Sequence, residues 1–227
     1  MLSERTIFRL SKKIETSFDM IQNSVLLNLL QINAIKLNPA NPFTWASGWK
    51  SPIYCDNRKT LSYPAVRNLI ADGFKKQIIE RYPNVDVIAG VATGAIAHGM
   101  LVADRLNLPF IYVRSAPKKH GLENLVEGDV KPGQKVVVVE DLISTGLSSL
   151  AAVDALRNAG CEVLGMVAIF TYGFNHASEN FKQSNVKLDT LANYSEMIEI
   201  AIEQGFVNKD HLELLKSWRN DPENWGK

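Results

Sequence analysis

Residues 136–149 read VVVVEDLISTGLSS and bring together most of the side chains able to do chemistry in concert. Two acids, Glu140 and Asp141, follow an apolar run. Small and hydroxyl residues come next: Ser144, Thr145, Gly146, then Leu147 and Ser148. A loop of small residues ahead of a helix lets several backbone N–H groups converge on one phosphate, and the helix dipole favours the anion. The hydroxyls of Ser144, Thr145 and Ser148 add donors. Carboxylates repel phosphate, but they accept hydrogen bonds from sugar hydroxyls and assist Mg²⁺ directly or through water. Phosphate at one end and a diol at the other describes a ribose 5-phosphate. Acids between a strand and a helix also occur as plain architecture. The stretch is neither a Walker A loop nor a GxGxxG fingerprint, and the turn between Gly90 and Gly99 fails both patterns. A second stretch, Arg114 to Gly121 (RSAPKKHG), is basic. Alone, Lys-Lys-His is usually a solvated connection; beside a phosphate loop it becomes a source of counter-charge.

The surrounding elements explain how these residues are held. Val136 to Val139 is the clearest strand in the chain, and Ser148 to Asn158 is helical with Gly160 at its C′ position. Val85 to Val91, Phe110 to Val113 and Glu162 to Phe170 are further strands, and Val186 to Leu188 is a short one. Helices are expected from Met20 to Leu37, where Asn38-Pro39 stops the pattern, and from Pro64 to Pro83. The second has a stripe of Val66, Leu69, Ile70, Phe74, Ile78 and Ile79. Further helices fall at Ala95 to Leu106, Ser195 to Gln204 and Asp210 to Trp218. Residues 39–60 read as irregular apart from an extended piece at Ile53 to Asp56, and residues 115–134 show no hydrophobic period. Strands alternating with helices imply an α/β fold with a parallel sheet covered on both faces. Ligands then bind beyond the carboxyl ends of the strands, where the loops after Val91, Val113 and Val139 lie.

Composition sets the outer bounds. The 227 residues carry 25 Lys and Arg against 24 Asp and Glu, a formal net charge of +1, with 46% apolar residues. Such a chain is not disordered, collagenous or a coiled coil. Near-neutrality argues against coating nucleic acid. The longest apolar stretches are strand-length, so no membrane span is expected. Two cysteines, Cys55 and Cys161, lie far apart and read as free thiols of a reducing cytosol and as small core fillers. Residues 1–19 mix bases with acids and have no apolar h-region, so the expectation is a dispensable extension, neither a secretory signal nor a transit peptide.

Residues 136–149 resemble the phosphoribosyl-diphosphate (PRPP) motif of type I phosphoribosyltransferases: apolar run, two acids, two variable residues, hydroxyl-Thr-Gly-x-Ser. Three further segments look like the orotate phosphoribosyltransferase branch. Phe43 to Gly48 (FTWASG) with Ser51 to Tyr54 (SPIY) resembles its N-terminal hood. Arg114 to Gly121 resembles its catalytic loop, and Asn124 to Gly128 (NLVEG) the closing arm of that loop. The resemblance runs from about Met20 to near the C-terminus. It implies a type I phosphoribosyltransferase fold: a mainly parallel sheet flanked by helices, in a single domain over 20–227, with a small N-terminal hood mainly over 20–62.

The resemblance further implies transfer of the ribosyl 5-phosphate of PRPP to orotate, giving orotidine 5′-monophosphate and pyrophosphate with Mg²⁺ as cofactor. It implies catalytic roles for Arg114, Lys118, His120 and Asp141. Those residues, with Glu140, Leu142, Ile143, Ser144, Thr145, Gly146, Leu147 and Ser148, would bind PRPP. Ser144 would also touch orotate, and no protein residue is assigned to metal. A cytoplasmic homodimer with shared sites is implied, since Arg114, Lys118 and His120 would reach the partner's site. Neither nucleic acid nor membrane is expected as a partner.

The chain departs from some branches of the family. Ala46, Thr93-Gly94 and Ser115 stand where Lys occurs elsewhere, Leu147 stands where Gly is often found, and the Arg some branches carry near Tyr172 for orotate is missing. Two rivals remain: a purine phosphoribosyltransferase, against which the hood segment argues, and a PRPP-sensing regulator that binds DNA, which would want a basic winged-helix domain. Among other residues, His98 reads as packing and His176 and His211 as surface. Trp45 and Trp49 either line a hood over the base or simply pack.

Overall fold

The computed structural model describes residues 20–116 and 125–226. The proposed extension 1–19 lies outside the described residues, as do Pro117, Lys118, Lys119, His120, Gly121 and Asn124 of the basic loop.

Six strands form the central sheet: β5 (Val87–Val91), β6 (Phe110–Val113), β7 (Val126–Glu127), β8 (Lys135–Ile143), β9 (Glu162–Thr171) and β10 (Leu188–Asn193). Their spatial order is β10-β9-β8-β5-β6-β7, and every neighbouring pair is parallel except β6 with β7. Val136 to Val139 are wholly buried at the centre of this sheet. Each contributes roughly 1.5–3 kcal/mol of burial free energy, which explains a strand with no polar alternation. From β5 the chain steps to β6 on one side, and from β8 it steps to β9 on the other. The crevice between the carboxyl ends of β5 and β8 is therefore the topological switch point. Crossovers in such sheets are right-handed, so α3 (Ile96–Leu106) and α4 (Leu147–Asn158) fall on opposite faces. Helix α2 (Pro64–Arg81) packs beside α3, and α5 (Asn175–Gln183) beside α4. The chain closes with α6 (Tyr194–Glu203) and α7 (Leu212–Asn220).

The hood comprises α1 (20–31), β1 (Ile35–Leu37), the pair β2 (Phe43–Thr44) and β3 (Lys50–Ser51), and β4 (Ile53–Cys55). Strand β1 pairs antiparallel with β4, and β2 with β3. Trp218 of α7 donates its indole N–H to the Lys50 carbonyl at 3.1 Å and packs edge-on against Trp45, Tyr172 and Phe174. Trp45 donates its indole N–H to the Ile53 carbonyl. Its packing role is thus plain, and the last helix of the chain pins the hood.

Several expectations need correcting. The first helix stops well before Leu37: Asn33 adopts φ 54°, the Asn33 and Ala34 amides close on Leu30 and Leu29, and Ile35 begins a strand. The strand expected at Val186 to Leu188 begins only at Leu188, where pairing with Met166 starts. Helix α5 was not expected, because its sequence NHASENFKQ buries only Ala177 and Phe181. Ile79 is 52% exposed, since Ile78 takes the inward position. Cys161 is buried, but Cys55 is only half-buried. His176 and His211 are half-buried rather than surface.

His98 is buried, as expected of a packing residue. Its Nε2 lies 3.1 Å from Thr60 Oγ1, and Thr60 donates to the Asn57 carbonyl at 2.6 Å. Burial pulls the imidazole pKa down to about 4. The unfolded chain therefore binds a proton on this residue between about pH 6.5 and 4 while the folded chain does not. His98 stabilises the fold fully above pH 6.5, and its contribution is lost as the pH falls toward 4, by about 3 kcal/mol. Denaturant melts of the parent and of His98→Asn across this range check the sign: the parent should lose more stability on acidification than the variant.

Candidate active site

The side chain of Glu140, the first acid after the valines, is only 5% exposed. One carboxyl oxygen accepts Ser149 Oγ at 2.9 Å, and the other accepts the Asp141 amide at 2.9 Å. Burial first, and then the charge of Asp141, push this carboxyl well above the usual range. The acids are thus unlike one another. Glu140 is held inward by α4, whereas both had been expected to face a diol. Asp141 is half-exposed in the crevice.

Asp141 is fixed from two directions. Its carbonyl accepts Asn57 Nδ2 at 2.6 Å, and Asn57 leads the 3-10 turn Asn57–Ser62 that follows β4. Its carboxylate lies against Gly94, where a Cβ atom would stand only 2.2 Å from Oδ2. Gly94 belongs to the turn after β5, in which the Ala92–Thr93 peptide is cis and the Ala92 amide donates to the Val113 carbonyl. Behind the turn, Gly90 and Gly99 let α3 approach β5 closely; a Cβ at Gly99 would stand 2.7 Å from the Phe110 ring.

Strand β8 runs on through Ile143, so the acids lie within it rather than after Val139, and the loop is Ser144 to Gly146. Ile143 is buried and its carbonyl accepts the Tyr172 amide at 3.1 Å. Leu142, Ser144 and Thr145 are half-buried, and Leu147 and Ser148 are exposed. Gly146 takes φ 79° and lies so close to Phe181 that a Cβ would stand 2.6 Å from the ring. No other residue type fits both the conformation and the space. Helix α4 starts from Gly146 with no side-chain cap. The Leu147 amide reaches only Thr145 Oγ1, at 3.5 Å, and the amides that follow it are left to serve an anion at the loop mouth.

Arg114 closes the far wall. Its amide donates to the Leu125 carbonyl at 2.9 Å, and its guanidinium lies 3.4 Å from Glu127. A cleft of about 250 Å³ joins Thr93, Gly94, Arg114, Asp141 and Ser148. Three segments distant in sequence thus meet at the switch point. Glu140, Leu142 and Ser115 also line it, and Ser144 to Gly146 form the loop that leads into α4. Lys118 and His120 lie outside the described residues. Sequence reasoning missed Asn57, Gly94 and Ser149, whose part depends on contacts spanning from 9 to 84 residues and leaves no local signature.

Comparison with known proteins gives the same picture. The phosphoribosyl transferase domain model matches residues 62–203. A curated relative from Porphyromonas gingivalis, an orotate phosphoribosyltransferase, is 62% identical over 87% of this chain and 94% of its own length. The orotate phosphoribosyltransferase of Bacteroides thetaiotaomicron is 62% identical over 87% and 93%. The crystal structure of orotate phosphoribosyltransferase from Aeropyrum pernix superposes with a TM-score of 0.68 at 27% identity, covering 81% of this chain and 99% of that one. With the switch-point crevice, the uncapped loop and these relatives together, the chain belongs to the phosphoribosyl transferase family, in its orotate phosphoribosyltransferase branch.

Proposed function

We propose that this protein transfers the ribosyl 5-phosphate of PRPP to orotate, releasing pyrophosphate and forming orotidine 5′-monophosphate for pyrimidine synthesis. The observation that carries this reading is the juxtaposition of the half-exposed Asp141 carboxylate with the uncapped start of α4 across one cleft. The 5′-phosphate takes the amides and hydroxyls of Ser144 to Ser148, and the ribose diol faces Asp141.

The reaction is a displacement at the anomeric carbon with oxocarbenium character, akin to glycosidic cleavage. Asp141 offers negative charge beside the ring as positive charge develops on it. Glu140, whose charge burial disfavours and which Ser149 holds, turns inward and leaves Asp141 as the carboxylate facing the ribose. Arg114, with Lys118 and His120 of the basic loop, neutralises the departing pyrophosphate. Water would hydrolyse a ribosyl cation, so the loop acts over a closed complex.

Among the described residues no three carboxylate, His or Cys side chains converge as a metal cage. That suits Mg²⁺ held by one or two carboxylates and substrate oxygens. Asp141 is the available carboxylate, because both oxygens of Glu140 are occupied. Mg²⁺, when bound, supplies charge neutralisation on the diphosphate.

The direct test mixes protein, orotate, PRPP and Mg²⁺ and follows the ultraviolet absorbance of orotate, with purine bases at fixed PRPP for comparison. Consumption of orotate alone supports the reading; consumption of a purine instead overturns it.

The same proposal makes the protein a cytoplasmic homodimer over residues 20–227 in which the basic loop serves the partner's site. Separately, Asp141→Asn and Lys118→Ala protomers should be nearly inactive. Mixed, they should recover activity through one intact shared site per heterodimer. Heterodimers without recovery would show that each chain completes its own site.

A further inference from the structure

The proposed substrate brings a problem that the site described so far leaves open. Orotate carries a ring carboxylate, and the cleft already holds Asp141. A carboxylate entering beside it needs a counter-charge, and Ala46 and the segment near Tyr172 supply none.

The described cations nearest the hood are mostly committed. Lys59 Nζ donates to the carbonyls of Ile32 and Asn33, Lys50 Nζ to Thr44, and Arg219 Nη2 to the Gly173 carbonyl, while the Arg219 Nε is buried without a partner among the described residues. Arg114 faces Glu127 on the far wall. Arg58 differs. Its Nε donates to Asp56 Oδ1 at 2.7 Å, which holds the stem, and its side chain is 63% exposed. The terminal edge of the guanidinium makes no hydrogen bond within the described residues. That edge is a planar fork of the shape that binds a carboxylate bidentately.

Position supports the same reading. Arg58 follows Asn57, whose side chain is bonded to the Asp141 carbonyl, so the backbone at Arg58 is tied to the crevice. Asp56 both caps this turn through the Arg58 amide and grips the guanidinium. Beyond Asp56, the charges of Tyr54 and Asp141 also raise the Arg58 pKa, in keeping with that position. The Tyr172 side chain is buried, and its hydroxyl makes no hydrogen bond within the described residues. Its ring lies 5.0 Å from that of Trp45, under the hood.

We infer that Arg58, braced by Asp56, pairs with the ring carboxylate of the pyrimidine substrate and so selects a carboxylated base. The inference rests on the reading of the site as an orotate phosphoribosyltransferase. A charged hydrogen-bonded pair of this kind corresponds to roughly a 10- to 100-fold change in affinity.

The test uses the full chain and compares parent, Arg58→Ala and Arg58→Lys. Expected for Arg58→Ala is a rise of about 10- to 100-fold in the orotate KM, little change in the PRPP KM, and partial recovery in Arg58→Lys. Competition by uracil, which lacks the carboxylate, should be equal in parent and Arg58→Ala. An unchanged orotate KM, or an equal rise in the PRPP KM, overturns the inference, as does uracil competition that weakens in step with orotate. A parent that consumes no orotate defeats the underlying reading instead, so the two failures are distinguishable. Arg58 is exposed, so equal melting temperatures are expected for all three proteins.

Discussion

Replacing Asp141 by Asn should lower kcat/KM by about 10- to 1000-fold, equivalent to roughly 1.4–4 kcal/mol of transition-state stabilisation. The substitution keeps the shape of the side chain and removes its charge. The adjacent Glu140 cannot compensate, because its oxygens are engaged by Ser149 and by the Asp141 amide, and burial favours its protonated form. The loss should appear mainly in kcat if the charge acts on the developing ribosyl cation. Steady-state kinetics with varied PRPP check this, and unchanged kinetics would remove Asp141 from the reaction.

Gly94→Ala should be nearly as damaging, although residue 94 brings no functional group. The new methyl would stand 2.2 Å from Oδ2 of Asp141 and 2.5 Å from its Cγ. The carboxylate, half-exposed, can swing away more readily than the turn can move. Activity should therefore fall by about 10- to 1000-fold while the melting temperature changes little. The variant Gly94→Ala/Asp141→Asn should be scarcely worse than Asp141→Asn alone, since both changes act through one group. Additive losses would show that Gly94 acts independently of the carboxylate.

The parts of this site that the sequence disclosed are those encoded locally. Val136 to Val139, Glu140, Asp141 and Ser144 to Ser148 are contiguous, and an apolar run ending in acids and small residues has few structural readings. The alternation of β5, α3, β6, β8, α4 and β9 was legible for the same reason: buried parallel strands are near-continuous apolar runs. Elsewhere local pattern misled. Ile35 and Leu37 continue a helical period, yet pairing with Cys55 and Ile53 turns them into a strand. The β2–β3 pair is two residues long on each side, too short to show alternation. The inward turn of Glu140 could not be read, because it depends on Ser149 arriving on the next helix. Nor could the contact of Gly94 with Asp141, which joins the ends of two neighbouring strands.

The bare start of α4 makes the fold itself sensitive to its cargo. A helix that begins at Gly146 with only a 3.5 Å contact from Thr145 Oγ1 on its first amide is finished by an incoming anion. Occupancy should then be readable without turnover: inorganic phosphate or PRPP, each alone, should raise the melting temperature with the logarithm of its concentration. Heat resistance in this protein becomes a meter of sugar-phosphate supply.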